Sequence, residues 1–305
     1  MHQWPSLALE PRQSSSRHSW HPRSTSTLPP VSIRLLTWNI NYAAPHARER
    51  LICILTYLAN AVFRSQWSSP DPCCILFQEV AAHVFHTLIS HDWVRRHFLV
   101  VPSSPDKWPR GATYGNVTLI SNSVPFISAQ SLVFGNSTMG RNALVAEIAL
   151  RDPTSARALI LRVANTHLES MPSGASARVW QLWAVADKLI KPGVCGGIVA
   201  GDMNAMYPSD ETMHTYAGLV DAYRGRADSR ESHTWGYQPP TRYPPARVDR
   251  VYYSSGSAVP DGPSLQVDEP QQVGVALRTP RGQWASDHHG LITTVHFAWR
   301  SPGIG

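Results

Sequence analysis

Long apolar runs, dense charge and paired cysteines are all missing from this chain of 305 residues, and each absence narrows what it can be. No apolar stretch reaches the roughly 20 residues that cross a bilayer. The greasiest, Leu51 to Phe63, is broken by Thr56, Tyr57 and Asn60 and reads as a core helix, so no membrane span is expected. Only 16% of residues are charged, and 27 Lys and Arg against 21 Asp and Glu leave a formal net charge of +6. That mild surplus is compatible with a polyanionic partner, but it would have to act through local patches. No Lys/Arg run is dense enough to act as a localisation signal. The four cysteines, Cys53, Cys73, Cys74 and Cys195, lack the Cys-x-x-Cys or Cys/His spacing that zinc needs. Four in so long a chain do not make a disulfide scaffold, which suits a reducing compartment. They read as small buried hydrophobes, with Cys73 and Cys74 on opposite faces of a sheet.

What is present is enough for a sizeable core: 43% of residues are hydrophobic, in a length that fits one large or two small domains. Residues 1–30 hold seven Ser, five Pro and three Arg against one acid, Glu10. An Arg- and Ser-rich start suits a transit peptide, but Pro5, Pro11 and Pro22 would interrupt the helix it needs. The stretch reads as a disordered tail. After Pro30, short β-branched and aliphatic runs appear at Ile33–Trp38, Cys73–Gln78, Val117–Ile120, Ala143–Leu150, Ala158–Val163, Gly197–Ala200, Val248–Tyr253 and Leu291–Phe297. Between them, Arg48 to Arg64 and the run from Val179 to Ile190 keep apolar residues at helical spacing. Pro45 is placed to open the first helix, and Pro192 and Gly193 stop the second. The pattern predicts one α/β domain over residues 31–300, with mixed sheets, outer helices and a short tail at 301–305.

Nearly every expected strand ends in polar residues. Asn39 and Asn41 follow the first run, Gln78 and Glu79 the second. Asn165, Thr166 and His167 close a third, and Gly201, Asp202 and Asn204 a fourth. Ser286, Asp287 and His288 precede the last. Any one cluster is an ordinary turn sequence. Five together supply hard oxygen ligands for Mg²⁺ and donors for phosphate oxygens, at the strand ends where rigid scaffolds display catalytic groups.

Thr37-Trp38-Asn39, Gln78-Glu79-Val80, Thr166-His167-Leu168-Glu169-Ser170, Gly201-Asp202-x-Asn204 and Ser286-Asp287-His288 occur in an order that resembles the endonuclease/exonuclease/phosphatase family. Gly140-Arg141-Asn142, Thr234-Trp235 and Arg247-Val248-Asp249-Arg250 resemble the 5′-tyrosyl-DNA phosphodiesterase branch of that family. The likeness spans about residues 31–299. It implies a DNase I-like four-layer α/β sandwich: two packed mixed β-sheets flanked by helices. It implies Mg²⁺ (with Mn²⁺ as a substitute) held by Glu79, with Asn39 near the metal or a phosphate oxygen. Asp202 is then the acid that orients or deprotonates the attacking water, and Asn204 a donor to the phosphate. His288 stabilises the pentacovalent phosphate, and Asp249 fixes its tautomer. His167 is a second phosphate donor, with Ser170 beside the scissile bond. Arg141, Trp235 and Arg250 are the expected substrate contacts.

One position departs from that pattern. The family carries an acidic metal ligand where this chain has Asn41, whose amide oxygen can coordinate but brings no charge; Asp287 is a nearby carboxylate that could compensate. From Asp221 to Arg250 six arginines stand against four acids, among Tyr223, Trp235, Tyr237 and Tyr243, a composition suited to a nucleic-acid groove or to a solvated loop. The resemblance implies a monomeric phosphodiesterase acting on DNA 5′ ends that carry covalent tyrosine or peptide, in the nucleus, with the cytoplasm as the other location. A general nuclease, a small-phosphoester phosphatase and a non-catalytic nucleic-acid-binding protein on the same fold stay open as alternatives.

Overall fold

The computed structural model describes residues 28–255 and 262–299. The tails expected at 1–30 and 301–305 therefore lie outside the described residues, save for 28–30.

The first sheet has the strand order β11-β13-β1-β2-β4-β3, with β12 pairing on β13. Its strands are β1 (Ser32–Asn39), β2 (Cys73–Ala81), β3 (Phe98–Val101), β4 (Tyr114–Ser121), β11 (Ser264–Val267), β12 (Gln271–Val273) and β13 (Gly290–Ala298). The second sheet runs β5-β6-β7-β8-β10-β9. It comprises β5 (Phe126–Val133), β6 (Asn142–Arg151), β7 (Ala158–His167), β8 (Gly196–Asp202), β9 (Leu219–Asp221) and β10 (Asp249–Ser254). Each sheet has one parallel pair at its centre, β1 with β2 and β7 with β8, flanked by antiparallel neighbours. The sheets are mixed, as expected.

Alternation along the strands builds three apolar layers. Ile33, Leu35, Cys74 and Leu76 of the first sheet meet Ile148, Leu161, Val163, Ile198 and Val251 of the second. On the outer face of the first sheet, Leu36, Trp38, Cys73, Ile75 and Phe77 pack against Leu51, Ile54 and Leu55 of α1 (Ala47–Tyr57) and the residues of α2 (Phe85–Ser90) and α3 (Asp92–His97). On the outer face of the second, Val145, Ala164, Val199 and Tyr252 pack against Leu182, Val185 and Leu189 of α4 (Ala175–Leu189) and Met213 of α5 (Met213–Tyr216). Helices, sheet, sheet, helices: the four layers of the sandwich are in place. Cys73 and Cys74 fall in different layers, and complete burial pushes the Cys74 thiol up to about 12.

The layers are also tied by polar groups at their centre. Gln78 Nε2 donates to Thr37 Oγ1 at 3.0 Å and, across the sheet interface, to Asn165 Oδ1 at 2.8 Å. Asn165 Nδ2 returns the link to the Phe77 and Val117 carbonyls. Both side chains are fully buried, and these bonds fix how the two sheets register at the edge where the parallel strands end.

Candidate active site

The carboxyl ends of β1, β2, β7 and β8 converge on one edge, together with the starts of β10 and β13. A crevice outside the carboxyl ends of strands is where α/β sheets place ligands. Asp202, the last residue of β8, stands at the centre. Its Oδ2 accepts from Asn39 Nδ2 at 3.0 Å and lies 3.2 Å from His167 Nε2. Its Oδ1 accepts from the Asn204 backbone N–H at 2.9 Å. The preceding residue has to be glycine: Gly201 has φ 151°, and a Cβ there would collide with the Thr166 carbonyl oxygen of β7. Burial alone would raise the Asp202 pKa. The hydrogen bond from the His167 ring, the field of the His288 ring and the Asn204 N–H outweigh burial and hold the carboxyl well below the usual range.

His288 faces Asp202 from the other side. Its Nδ1 is 2.7 Å from Asp249 Oδ2, and Asp249 pairs in register with Asp202 across β10 and β8. Burial disfavours the imidazolium, but Asp249 first, then Asp287 and Asp202, raise the His288 pKa well above its ordinary value. Burial is also the main reason the Asp249 pKa is raised. In the imidazolium, Nδ1 donates to Asp249, while Nε2 stands 3.9 Å from Asp202 Oδ2 and 4.0 Å from Asp287 Oδ1, beyond hydrogen-bond reach of either. That N–H is unspent among the described residues. The loop carrying it is pinned at the His288 carbonyl, which accepts from Trp38 Nε1 at 2.9 Å and Gln238 Nε2 at 3.0 Å. Ser286 Oγ bonds the Asn39 carbonyl at 2.6 Å, tying this loop to the end of β1.

Arg141, in the residue before β6, donates from Nη1 to His167 Nδ1 at 2.8 Å and from Nη2 to Ser170 Oγ at 3.0 Å. It is 5% exposed, forms no salt bridge among the described residues, and its Nε is buried without a partner. A desolvated guanidinium with no carboxylate is a site prepared for an anion. It lines a cavity of about 280 Å³ with Tyr114, Asn116, Asn142 and His167. Glu169 anchors this corner, accepting from Ser137 Oγ, Thr138 Oγ1 and the Thr138 N–H.

Glu79 sits where the β2–β4 register shifts, at φ 60°, so the bulge turns its side chain out of the ladder. Its Oε2 accepts from the Tyr42 N–H at 3.0 Å, and its Oε1 has no hydrogen bond among the described residues. Asn41 and Asn204 are likewise left-handed, at φ 55° and 48°. Three strained site residues in one crevice fit the tendency of functional sites to hold such conformations.

Two expectations need correction. Asn41 Oδ1, expected as a metal ligand, accepts the Ala43 and Ala44 N–H groups, each at 3.1 Å, so both its lone pairs close a turn. Arg250, expected at the substrate, faces away because it is next to Asp249 on a strand and alternation sends it to the opposite side. It is fully buried under α5 and bonds Glu211 through both Nη atoms, at 3.0 and 2.6 Å. Arg247 is likewise committed, to Asp221 at 2.7 and 2.6 Å. Trp235 does reach the crevice, bridging to His288 and donating from Nε1 to Asp287 Oδ2 at 3.3 Å. Asn204 Nδ2 holds the Leu168 carbonyl at 3.0 Å.

Sequence reading missed Arg50. It is 2% exposed, and its guanidinium donates to the carbonyls of Ile40, Ala44, Pro45 and Ala285. It thereby stitches the loops after β1 and before His288 together. Its position on a helix face among apolar residues carries no mark of that role. Gln238 was equally hidden, in a Pro-rich loop.

The donor set suits a hard cation. Glu79 offers a free carboxylate oxygen; Asp202, Asp249 and His288 also bring ligand atoms within 4.8 Å of one another, a buried group that could hold a metal only with His288 deprotonated.

The model of the endonuclease/exonuclease/phosphatase family matches residues 36–288, a span that includes every residue of this crevice. The chain belongs to that family. It is thereby a phosphoester hydrolase by descent, of the nuclease and phosphatase kind. Among solved structures, D. rerio TDP2 complexed with single strand DNA product shares 20% identity over 87% of this chain and 98% of that one, at a TM-score of 0.66. Truncated Caenorhabditis elegans TDP2 shares 19% over 89% and 99%, at 0.62. The human Nocturnin catalytic domain with bound sulfate anion shares 19% over 88% and 96%, at 0.57. At these identities the likeness is one of fold, and the fold is the DNase I-like sandwich. No curated protein matches the chain.

Proposed function

We propose that this family member is a Mg²⁺-dependent phosphodiesterase that hydrolyses 5′-phosphotyrosyl-DNA bonds, the type of adduct left by topoisomerase II chemistry. The observation that carries the reading is the pairing of a held Asp202 carboxylate with the unspent His288 Nε2–H. One group aligns a nucleophile and the other meets the charge that nucleophile creates.

Asp202 accepts a hydrogen bond from the attacking water and orients it in line with the scissile bond. Its lowered pKa makes it a weak base at rest, so it takes the proton only as the new P–O bond forms. His288, protonated and braced by Asp249, donates from Nε2 to a non-bridging oxygen of the pentacovalent phosphate. Arg141 and the corner it shares with His167 and Ser170 add a fixed positive charge beside the phosphate. The tyrosyl oxygen departs as a phenolate with a conjugate-acid pKa near ~10, so it needs no general acid. No covalent enzyme intermediate is required. Glu79 and Asp287 are the carboxylates that would hold Mg²⁺ or Mn²⁺, which when bound supplies charge neutralisation at the leaving oxygen.

A DNA end is supported by Arg141, which has no carboxylate partner among the described residues, by the half-buried Trp235 with the exposed Tyr243 beside it, and by the fold shared with TDP2. The nuclear location and monomeric state belong to the same proposal. The test compares a 5′-phosphotyrosyl oligonucleotide, unmodified single- and double-stranded DNA, and a small aryl phosphomonoester. Release of tyrosine from the blocked end alone supports the reading. Degradation of unmodified DNA makes the chain a general nuclease, and turnover of the monoester alone makes it a phosphatase.

A further inference from the structure

The turn that follows β1 carries a residue with no part in the chemistry above. Tyr42 is the first residue beyond Asn41, and its ring lies flat on that of Tyr114, with centroids 3.7 Å apart and planes 13° from parallel. Tyr42 covers one face of Tyr114, and the Arg141 guanidinium lies 5.8 Å from the Tyr114 centroid and donates to its hydroxyl at 3.2 Å. Tyr42 remains 36% exposed.

The turn itself is held unusually firmly. The Asn41 N–H donates to Asn39 Oδ1 at 2.9 Å, and Asn41 Oδ1 receives two further N–H groups. Arg50 fastens the carbonyls of Ile40, Ala44 and Pro45. The Tyr42 N–H is spent on Glu79. An aromatic side chain is thus presented to solvent on a preorganised loop, beside the carboxylate expected to hold the cation and against Tyr114, which lines the Arg141 cavity. The Asn41 side-chain oxygen thus serves the presentation of its neighbour.

We propose that the outward face of Tyr42 is a stacking platform for a planar ring of the substrate, backed by Tyr114. It rests on the reading of the crevice as a phosphodiesterase site for DNA ends. Two rings flank the scissile phosphate, the first nucleobase and the phenol of the leaving group, and each supplies the same flat π-face. A rigid aromatic surface binds such a ring with little entropy to lose.

Binding measurements separate the sources. The first arm uses a fluorescein-labelled, 5′-phosphorylated single-stranded oligonucleotide read by anisotropy. Tyr42→Ala weakens binding about tenfold, while Tyr42→Phe and Tyr42→Trp stay within about threefold of the parent. With an abasic first nucleotide, the parent falls to the level of Tyr42→Ala and the variant loses nothing more. The second arm displaces the labelled strand with phenyl phosphate or methyl phosphate. If the phenol is the ring held, Tyr42→Ala weakens phenyl phosphate alone. A loss specific to ringed probes in either arm supports the platform and names its ligand. Equal losses for ringed and ringless probes, or no loss in both arms, overturn it. Both arms read binding, so a protein that shows the Tyr42 effect yet leaves tyrosyl-DNA uncut refutes the proposed activity and not the platform.

Discussion

Arg141 Nη1 stands 2.8 Å from His167 Nδ1. A guanidinium cannot accept, so the ring nitrogen does, and the His167 proton resides on Nε2, 3.2 Å from Asp202 Oδ2. Arg141 therefore selects the tautomer that lets His167 hold the central carboxylate.

Arg141→Ala should accordingly lower kcat by roughly 10- to 100-fold on a tyrosyl oligonucleotide and on a small nitrophenyl phosphodiester alike. Nitrogen chemical shifts of His167 would show the tautomer lost. A decline confined to the oligonucleotide would instead place Arg141 on the DNA strand alone.

The His288–Asp249 pair sets a pH dependence. In the proposed reaction His288 acts as a cation, and its pKa is raised well above its ordinary value by Asp249 and Asp287, so activity should hold through neutrality and fall on the alkaline side. Asp249→Asn removes the largest raising influence, and the alkaline limb should move to lower pH. The stability contributed by the raised His288 is complete below about pH 6.5 and is lost as pH rises through its folded pKa. The depressed Asp202 contributes above about pH 3.8 and is lost as pH falls through its folded pKa. A limb that stays put in Asp249→Asn would remove the pair from the pH profile.

Glu79→Gln should abolish divalent-metal-dependent turnover while leaving the melting transition in place, because the side chain is partly exposed on a bulge. Asn41→Asp keeps an oxygen for the Ala43 and Ala44 N–H groups and adds charge beside the site. It should retain activity and lower the Mg²⁺ concentration at half-maximal rate. Asn41→Ala, which loses the turn, should impair turnover even at saturating metal. Metal titrations of the three variants check this.

Arg178 and Asp210 form a fully buried bidentate pair at 3.0 and 2.8 Å, and Arg178 also holds the Glu169 and Met171 carbonyls. Asp210→Ala leaves an unpaired buried charge and should cost about 3–5 kcal/mol of stability, seen as a lowered urea midpoint. An unchanged midpoint would mean water reaches the guanidinium.

How far the sequence foretold this molecule depends on which element is asked about. All eight expected strands and both expected helices are present: the central strands are buried on both faces and read as unbroken apolar runs, and the helices each bury one face and so show helical spacing. β5 was invisible: it lies at a sheet edge, mostly exposed, and no alternation marks it. β3, β9, β11 and β12 span three or four residues each, too short for a pattern. At the site, Asp202, His288, Asp249, His167 and Asn39 were legible because they sit in motifs at strand ends, and the structure brings all five together. Arg250 misled because a motif names neighbours without saying which face each occupies. Arg50, Gln238 and Tyr42 act through backbone carbonyls or through a contact formed only by folding, and nothing in their local sequence announces it.

The central claim is that water, aligned by Asp202, attacks the phosphorus of a blocked DNA 5′ end. Tyrosine release from a 5′-phosphotyrosyl oligonucleotide in ¹⁸O-water under single-turnover conditions tests it most directly, with Asp202→Asn alongside. The account predicts one ¹⁸O atom in the 5′-phosphate, none in the released tyrosine, and a rate at least ~10²-fold lower for Asp202→Asn. Label in the tyrosine, or an Asp202→Asn rate within threefold of the parent, would contradict it.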